Sequence, residues 1–312
     1  MKNTIRFLLV QLSFLFKNKK INKKDEIRII KKIDNIYKKK NIKNNNKLKT
    51  HIIFNNYIKK LVIEKRFSNF LQDNIIQKIF FVHNRFYILF MLFKIIFNKK
   101  ELYKNLLIED NIGNPVRYFL FPKSSGNRIR EVFHLLNFEN FANFSLCNVN
   151  TIFEFGGGYG NMARIFYKIN KNINYTIFDT FHVNLLQYYY LKMLKIPTNI
   201  NTKNKKNITL NYKRSKCNFS NNKKKKLFIA NWSLSETPIK LRNIILKKIK
   251  NFDFILISYQ EKFEKINNHK FFSNITKKFG SKKFIFKILE IPFMNFFLSS
   301  NKNYYLFIKK VS

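Results

Sequence analysis

The stretch FEFGGGYGN, residues 153–161, holds four of the seven glycines in a chain of 312 residues. An apolar run, NTIFEF (150–155), precedes it, and a helical pattern from about Asn161 to Lys171 follows it. Glycine permits a tight turn between a strand and a helix, and its missing Cβ lets a ligand lie against the backbone. The first amide groups of the helix are free to face such a ligand. The stretch therefore predicts a ligand-binding turn.

The sequence around this turn alternates between short apolar runs and helical patterns. Further strands are predicted at NYTIFDT (174–180), NITLNY (207–212), KLFIANW (226–232), FDFILISY (252–259), KKFIFKILEI (282–291) and NYYLFIKKV (303–311). Helices are predicted at 182–195, from Pro238 to Lys250, and from the fifth strand up to Gly280. This alternation predicts an α/β fold, with a parallel sheet covered by helices on both faces. The last two strands have no helix between them and should pair as an antiparallel hairpin at the sheet edge.

The first third of the chain has a different pattern. Ile27, Ile30, Ile33 and Ile36 recur at helical spacing, and neither Gly nor Pro occurs before residue 113. We therefore divide the chain into a helical N-terminal region, 1–110, and an α/β domain, 111–312. Residues 111–149 form a connecting or cap segment of that domain, with loops predicted at 111–115 and 121–127.

Two apolar segments bear on localisation. MKNTIRFLLVQLSFLF (1–16) is too short for a membrane-spanning helix, and an amphipathic helix lying on the inner membrane is the alternative to a soluble one. RFYILFMLFKIIF (85–97), interrupted by Lys94, is interpreted as a buried helix. The two cysteines make no disulfide framework, and the five histidines show no metal-ligand spacing. We expect a cytoplasmic protein, peripheral at the membrane at most, without a metal site.

The formal charge of +44 would ordinarily indicate a nucleic-acid or anionic-membrane partner. However, the basic residues are mostly Lys and accompany abundant Asn, Ile, Phe and Tyr, the mixture that an AT-rich genome encodes. Arginine, which binds phosphate better through its planar fork, is not enriched. We attribute the charge to coding bias and predict no specific nucleic-acid partner.

The acidic residues beside the glycines indicate which ligand the turn binds. A dinucleotide-binding turn has Gly or Ala at the last motif position, where this chain has Asn161. Glu154 would repel a pyrophosphate but could hold an ammonium group. Asp179 ends the second strand, where a carboxylate can accept both ribose hydroxyls. A ligand with a ribose, an ammonium group and no phosphate fits S-adenosylmethionine better than NAD, and Gly156, Gly157, Gly158 and Gly160 are its predicted backbone contacts.

The segments FEFGGGYGNMAR (153–164), YTIFDTFHVNLLQYYYLKML (175–194) and ANWSLSETP (230–238) resemble the class I S-adenosylmethionine-dependent methyltransferases, and more narrowly the bacterial sugar O-methyltransferases. The resemblance covers about residues 110–312. It implies a Rossmann-like seven-stranded methyltransferase sheet with an antiparallel last strand. It also implies methyl transfer to a glycan hydroxyl in surface polysaccharide biosynthesis. Asn231-Trp232 and Thr180-Phe181 depart from the family's pattern. These departures weaken what the resemblance implies about the substrate more than what it implies about the cofactor.

Methyl transfer needs a group that takes the acceptor's proton, held over the cofactor at the end of the fourth strand. Glu236 and Ser235 are the candidates there, with His182 as a third. Ser235 and Glu236 could equally well be the N-cap and a first-turn acid of the helix that follows. Trp232 is predicted to stack on adenine or a sugar ring, or to fill the core. Arg128, Arg130 and His134, in the segment before the sheet, could meet an anionic substrate.

Two other functions remain open at this point. The charge suggests a nucleic-acid methyltransferase, although the chain lacks the Asn-Pro-Pro-aromatic turn of base amino-methylation after the fourth strand. The lysine-rich helical third suggests a non-enzymatic membrane-surface protein.

Overall fold

The computed structural model describes residues 22–39, 49–73, 75–77, 85–201, 208–212, 225–280, 283–297 and 301–311. The predicted amphipathic helix at 1–16 lies outside them. The α-helices are α1 (Lys23–Lys38), α2 (Lys49–Ile63), α3 (Phe86–Ile96), α4 (Glu101–Leu106), α5 (Gly126–Ala142), α6 (Asn161–Ile169), α7 (Phe181–Met193), α8 (Ile239–Ile249), α9 (Asn268–Phe279) and α10 (Met294–Phe297). The strands are β1 (Arg117–Tyr118), β2 (Phe121–Ser125), β3 (Thr151–Phe155), β4 (Asn174–Phe178), β5 (Thr198–Ile200), β6 (Ile208–Asn211), β7 (Lys226–Asn231), β8 (Phe254–Gln260), β9 (Lys262–Phe263), β10 (Ile266–Asn267), β11 (Phe284–Glu290) and β12 (Asn303–Lys310).

Eight strands form the central sheet, in the order β11-β12-β8-β7-β3-β4-β6-β5. The run β6-β4-β3-β7-β8 is parallel and has the doubly wound order 3-2-1-4-5. The last strand, β12, is antiparallel to both of its neighbours, β8 and β11. The predicted α/β sheet with an antiparallel last strand is therefore confirmed. The strand beyond the predicted seven is β5, which adds three residues at the edge beside β6.

The sheet is covered on both faces because its central strands are apolar throughout. Ile152 of β3 faces a core shared with α5, α6 and α7, whereas Phe153 faces a second core shared with α8 and α9. Burial of both faces is what the near-continuous apolar runs of parallel strands require. The carboxyl ends of β3, β4, β7 and β8 consequently lie along one edge, which is the edge where ligands bind in open α/β sheets.

Segment 121–127, predicted as a loop, is instead strand β2 and the start of α5. Arg117 of β1 pairs with Ser125, and the Ser125 hydroxyl then accepts from the amide of Arg128, 3.1 Å away. Ser125 therefore ends the hairpin and also N-caps α5. The turn signal of Ser and Gly was genuine, but it marked the start of a helix.

The helical N-terminal region packs on α7. The Tyr189 hydroxyl donates to Glu26 of α1 at 2.7 Å, and the ring of Phe67 stacks on that of Tyr189 at 4.7 Å. The segment predicted as a buried helix forms α3, whose buried face packs against α5 while its other face is exposed. None of the described helices is long and apolar enough to cross a membrane.

Candidate active site

The glycine turn follows β3 and packs tightly on its surroundings. Gly156 has φ +72°, and a Cβ there would lie 2.2 Å from the Cβ of Ser233. A Cβ on Gly157 would lie 2.6 Å from Ile177 Cγ2 and 2.9 Å from Glu154 Oε2. Gly158 and Gly160 also have positive φ, and Gly160 precedes the first residue of α6. At Gly156 and Gly157 the space that a side chain would need is therefore already occupied by neighbouring protein atoms.

Glu154 lies beneath the turn and is buried. Its Oε2 accepts from the Tyr175 hydroxyl at 2.8 Å, and Tyr175 lies on the neighbouring strand β4. Burial disfavours the carboxylate and raises the pKa of Glu154 to about 8, and the nearby carboxyl of Glu131 acts in the same direction. Glu154 is therefore largely protonated at neutral pH unless a cation binds near it.

Asp179 follows β4 and is half-buried at the same edge of the sheet. Its carboxylate accepts from the Thr180 amide at 2.8 Å and from Gln187 Nε2 at 3.0 Å, and also from the Gly157 amide. Burial nevertheless raises the pKa of Asp179 to about 7. Gln187 donates to the Gly158 carbonyl as well, at 2.9 Å, so α7 joins Asp179 to the glycine turn. The two predicted acids thus meet at one end of the sheet.

A third acid, Glu131, reaches this site from α5 and was missed by the sequence analysis. Its Oε2 accepts from Asn161 Nδ2 at 2.9 Å, and burial raises its pKa to about 7. The Oδ1 of Asn161 is buried and has no hydrogen-bond partner in the described part of the chain. Asn127, Glu131 and His134 recur at helical spacing along α5, but other polar residues of the same helix obscure this pattern in the sequence.

The 3₁₀ turn Ser233–Glu236 follows β7 and borders the glycine turn, because the Ser233 hydroxyl donates to the Phe155 carbonyl. Ser235 is buried, and its hydroxyl donates to Gln260 Oε1 at 2.8 Å and to the Trp232 carbonyl. Gln260 Nε2 in turn donates to Glu236 Oε1 at 3.3 Å. Ser235 therefore positions Gln260, which contacts Glu236.

Glu236 is half-buried, and this burial raises its pKa to about 7. The hydrogen bond from Gln260 and the charge of Arg242 act against that shift but do not cancel it. A carboxyl group that titrates near neutral pH suits proton transfer, since both of its protonation states are then populated. Of the predicted proton acceptors, Glu236 has the most suitable environment.

Trp232 packs between α5 and the start of β12. Its indole Nε1 donates to Asn303 Oδ1 at 3.0 Å, the Arg130 guanidinium lies 5.0 Å from its ring, and the His134 ring lies 5.4 Å away. Its φ of 59° is a left-handed conformation that non-glycine residues rarely adopt. This strain is located where β7 ends, as is common at functional sites.

Two other predicted residues contact structural elements. His182 is buried beside Phe181 and Tyr37 of α1, and burial together with the charge of Lys59 lowers its pKa to about 4. It is therefore neutral and faces the helical region. Arg128 is fully buried in ion pairs with Glu109 at 2.8 Å and Asp110 at 3.0 Å, so its charge is already balanced.

Comparison with known proteins gives no sequence relative: no family model and no curated protein matches the chain. Among solved structures, an arsenic(III) S-adenosylmethionine methyltransferase from Chlamydomonas reinhardtii is 12% identical over 53% of this chain and 65% of its own, with a TM-score of 0.37. The rRNA methylase of Escherichia coli is 10% identical over 59% and 65%, with a TM-score of 0.38. Mitomycin 7-O-methyltransferase is 11% identical over 59% and 58%, with a TM-score of 0.35.

These TM-scores all lie below 0.5, so the fold assignment depends on the strand order described above.

The residues at the carboxyl edge separate into two groups. Three acids surround the glycine turn, whereas the 3₁₀ turn presents one carboxyl group that titrates near neutral pH. Ser233 connects the two groups through Phe155 and Gly156.

Proposed function

We propose that this protein is an S-adenosylmethionine-dependent O-methyltransferase that acts on a sugar hydroxyl in surface polysaccharide biosynthesis. The observation that carries the proposal is the position of the glycine turn with its acids. It lies at the carboxyl ends of β3 and β7, where the strand order of the sheet reverses. Open α/β sheets bind their nucleotide ligands at this point.

The residues of the turn fit this cofactor better than a phosphate-containing one. Three carboxyl groups surround the turn, and their recorded hydrogen bonds come from Asn161, Tyr175 and Gln187, although the charges of Arg130 and Arg128 also act on Glu131. In this proposal Asp179 accepts from the ribose hydroxyls, while Glu131 and the Oδ1 of Asn161 accept from the ammonium group. Glu154 supports the turn from below.

The bound cofactor supplies an activated methyl group, and the chain must place the acceptor oxygen and take its proton. Glu236 is the group proposed to accept that proton, at a carboxylate oxygen. Gln260, held by Ser235, fixes the orientation of the Glu236 carboxyl by donating to Oε1. The strained Trp232 backbone directs the chain from β7 into the turn that carries Glu236.

A base amino group is a less suitable acceptor than a hydroxyl at this site. Asn231 ends β7, the position at which an enzyme that methylates a base amino group would hold that group with an asparagine oxygen. Here Asn231 Oδ1 already accepts from the Ser258 hydroxyl at 2.9 Å. This contact, together with the missing Asn-Pro-Pro-aromatic turn, supports a hydroxyl acceptor over a base amino group.

Calorimetry tests the cofactor half of the proposal. S-adenosylhomocysteine should bind the wild-type protein, and Asp179→Asn should weaken binding about 30-fold, because two hydrogen bonds to a charged acceptor are lost. Asp34→Asn, a surface acid of α1, serves as control and should leave binding unchanged. Absence of binding to the wild type would refute the cofactor. Labelled methyl transfer to nucleotide sugars or extracted glycans, compared with RNA and DNA, then tests the acceptor class.

A further inference from the structure

The α3 helix presents four phenylalanines to solvent on one face. Phe86, Phe90, Phe93 and Phe97 are 57%, 39%, 45% and 80% exposed, and their spacing of four, three and four residues aligns them along the helix. The opposite face, which includes Met91, is buried against the core. Soluble proteins seldom expose such a row of large apolar side chains without a binding partner.

Other apolar side chains extend this row at the N-terminal end of α3. The ring of Phe293, which follows β11, stacks on Phe90 at 4.8 Å. The Tyr118 hydroxyl donates to the Arg85 carbonyl at 3.4 Å, and the turn that follows Tyr118 carries Leu120, which is 47% exposed. We name the surface formed by the four phenylalanines, Leu120 and Phe293 the α3 face.

The charge around the α3 face indicates its partner. Residues 85–100 contain no acidic residue, and their basic residues are Arg85, Lys94, Lys99 and Lys100, the last of which is paired with Glu139 of α5. Aromatic side chains on one side of a helix with basic residues beside them are typical of helices that lie in the interface of an anionic bilayer. A protein partner of ordinary composition would need acidic side chains opposite these lysines, whereas anionic headgroups supply the charge and acyl chains receive the rings.

The position of the α3 face relates it to the carboxyl edge of the sheet. β11 runs parallel to β8, so Phe293 lies beyond the same ends of the strands as the glycine turn and Glu236. A bilayer that covers the α3 face would therefore lie beside the candidate active site.

We propose that the α3 face docks the protein on an anionic lipid bilayer. If the proposed function also holds, an acceptor attached to a membrane lipid would reach the carboxyl edge from this side. Membrane docking itself does not depend on that function, because no residue of the α3 face belongs to the candidate active site.

The experiment compares two double variants in co-sedimentation with vesicles of phosphatidylcholine, alone or mixed with phosphatidylglycerol. Phe93→Ser/Phe97→Ser removes half of the aromatic row without changing charge. The matched control, Ile239→Ser/Ile244→Ser, removes two exposed apolar side chains of α8, which packs on the opposite face of the sheet. At physiological salt the wild type and the control should bind the mixed vesicles, and the phenylalanine variant should bind about tenfold more weakly.

Equal binding of all three proteins would overturn the proposal, since it would mean that the lysines alone attract the vesicles. A second measurement uses Phe97→Trp, with the wild type as background because its single tryptophan, Trp232, is buried. Its added fluorescence should shift to shorter wavelength with vesicles and be quenched by brominated lipids. Absence of both fluorescence effects would contradict membrane docking. So would a protein that binds no vesicles but self-associates, if the phenylalanine variant abolishes that self-association.

Discussion

The glycine turn and the 3₁₀ turn lie next to each other at the carboxyl edge, but their polar groups are arranged differently. Around the glycine turn, carboxyl groups converge on backbone, and a buried acceptor of Asn161 lacks a donor in the described chain. Around the 3₁₀ turn, Ser235 and Gln260 satisfy each other and leave Glu236 with one long hydrogen bond. The first arrangement is typical of a site that holds a charged ligand. The second is typical of a site that keeps one titratable group available.

This comparison has a physical basis in how each turn is held. The glycine turn is fixed by its own backbone conformation and by direct contact with the 3₁₀ turn at Ser233. The 3₁₀ turn is fixed by side chains of neighbouring elements, because Arg242 of the following helix α8 donates to the carbonyls of Thr237 and Ser235, and Gln260 of β8 contacts Ser235. We therefore expect changes at the glycine turn to affect folding and cofactor binding together, and changes at the 3₁₀ turn to affect the rate.

The largest effect should come from Gly156→Ala. The new Cβ would overlap Ser233 and also impose a side chain at φ +72°, which together should lower the free energy of unfolding by about 4 kcal/mol. Gly280→Ala is the matched control, because Gly280 has φ +86° but no atom within 4 Å of the position that its Cβ would take. It should cost only about 1 kcal/mol. Urea unfolding measures both, and equal losses would contradict the tight contact between the two turns.

The next largest effect is expected at Glu236, and it concerns rate. Glu236→Gln should reduce kcat about 100-fold, as loss of a general base does. In the wild type, kcat should rise as the pH passes through about 7, because the carboxylate is the form that accepts a proton. Ser235→Ala, which removes the hydrogen bonds to Gln260 and to the Trp232 carbonyl but leaves the Glu236 carboxyl in place, should reduce kcat by roughly threefold and keep that pH dependence. An unchanged pH profile in Glu236→Gln would place the proton acceptor elsewhere.

The two turns also differ in how much of them could be predicted from the sequence. The parallel sheet with helices on both faces follows from the alternation of apolar runs and helices, and the turn at Gly156 follows from residues adjacent in sequence. Glu131 could not be placed this way, because it joins the site only when α5 packs across Asn161. Similarly, the pairing of Ser235 with Gln260 depends on the alignment of β7 with β8. Burial of His182 beside Tyr37 of α1 also comes from a distant element, so its position after Asp179 alone could not show that it faces the helical region.

A smaller effect tests whether Glu131 receives a cation. Glu131→Gln should weaken S-adenosylhomocysteine binding about 20-fold, since a charge-assisted hydrogen bond contributes about 2 kcal/mol. Binding of methylthioadenosine, which lacks the amino-acid tail, should not change. Calorimetry with the two ligands separates an interaction with the ammonium group from general damage to the site. Equal weakening of both ligands would show that Glu131 only supports the fold.

The smallest effect concerns Glu154 and the pH dependence of stability. The pKa of Glu154 is raised by burial to about 8 in the folded protein, so between its unfolded pKa and pH 8 the folded state binds more protons than the unfolded state. Its contribution to stability is therefore present at low pH and is lost as the pH rises through about 8. Glu154→Gln keeps a neutral side chain at every pH. Its free energy of unfolding relative to wild type should increase by about 1 kcal/mol between pH 5 and pH 6. Urea unfolding without ligand measures both proteins. Parallel curves would mean that Glu154 is ionised in the folded state throughout this range, with its carboxylate stabilised by the chain itself.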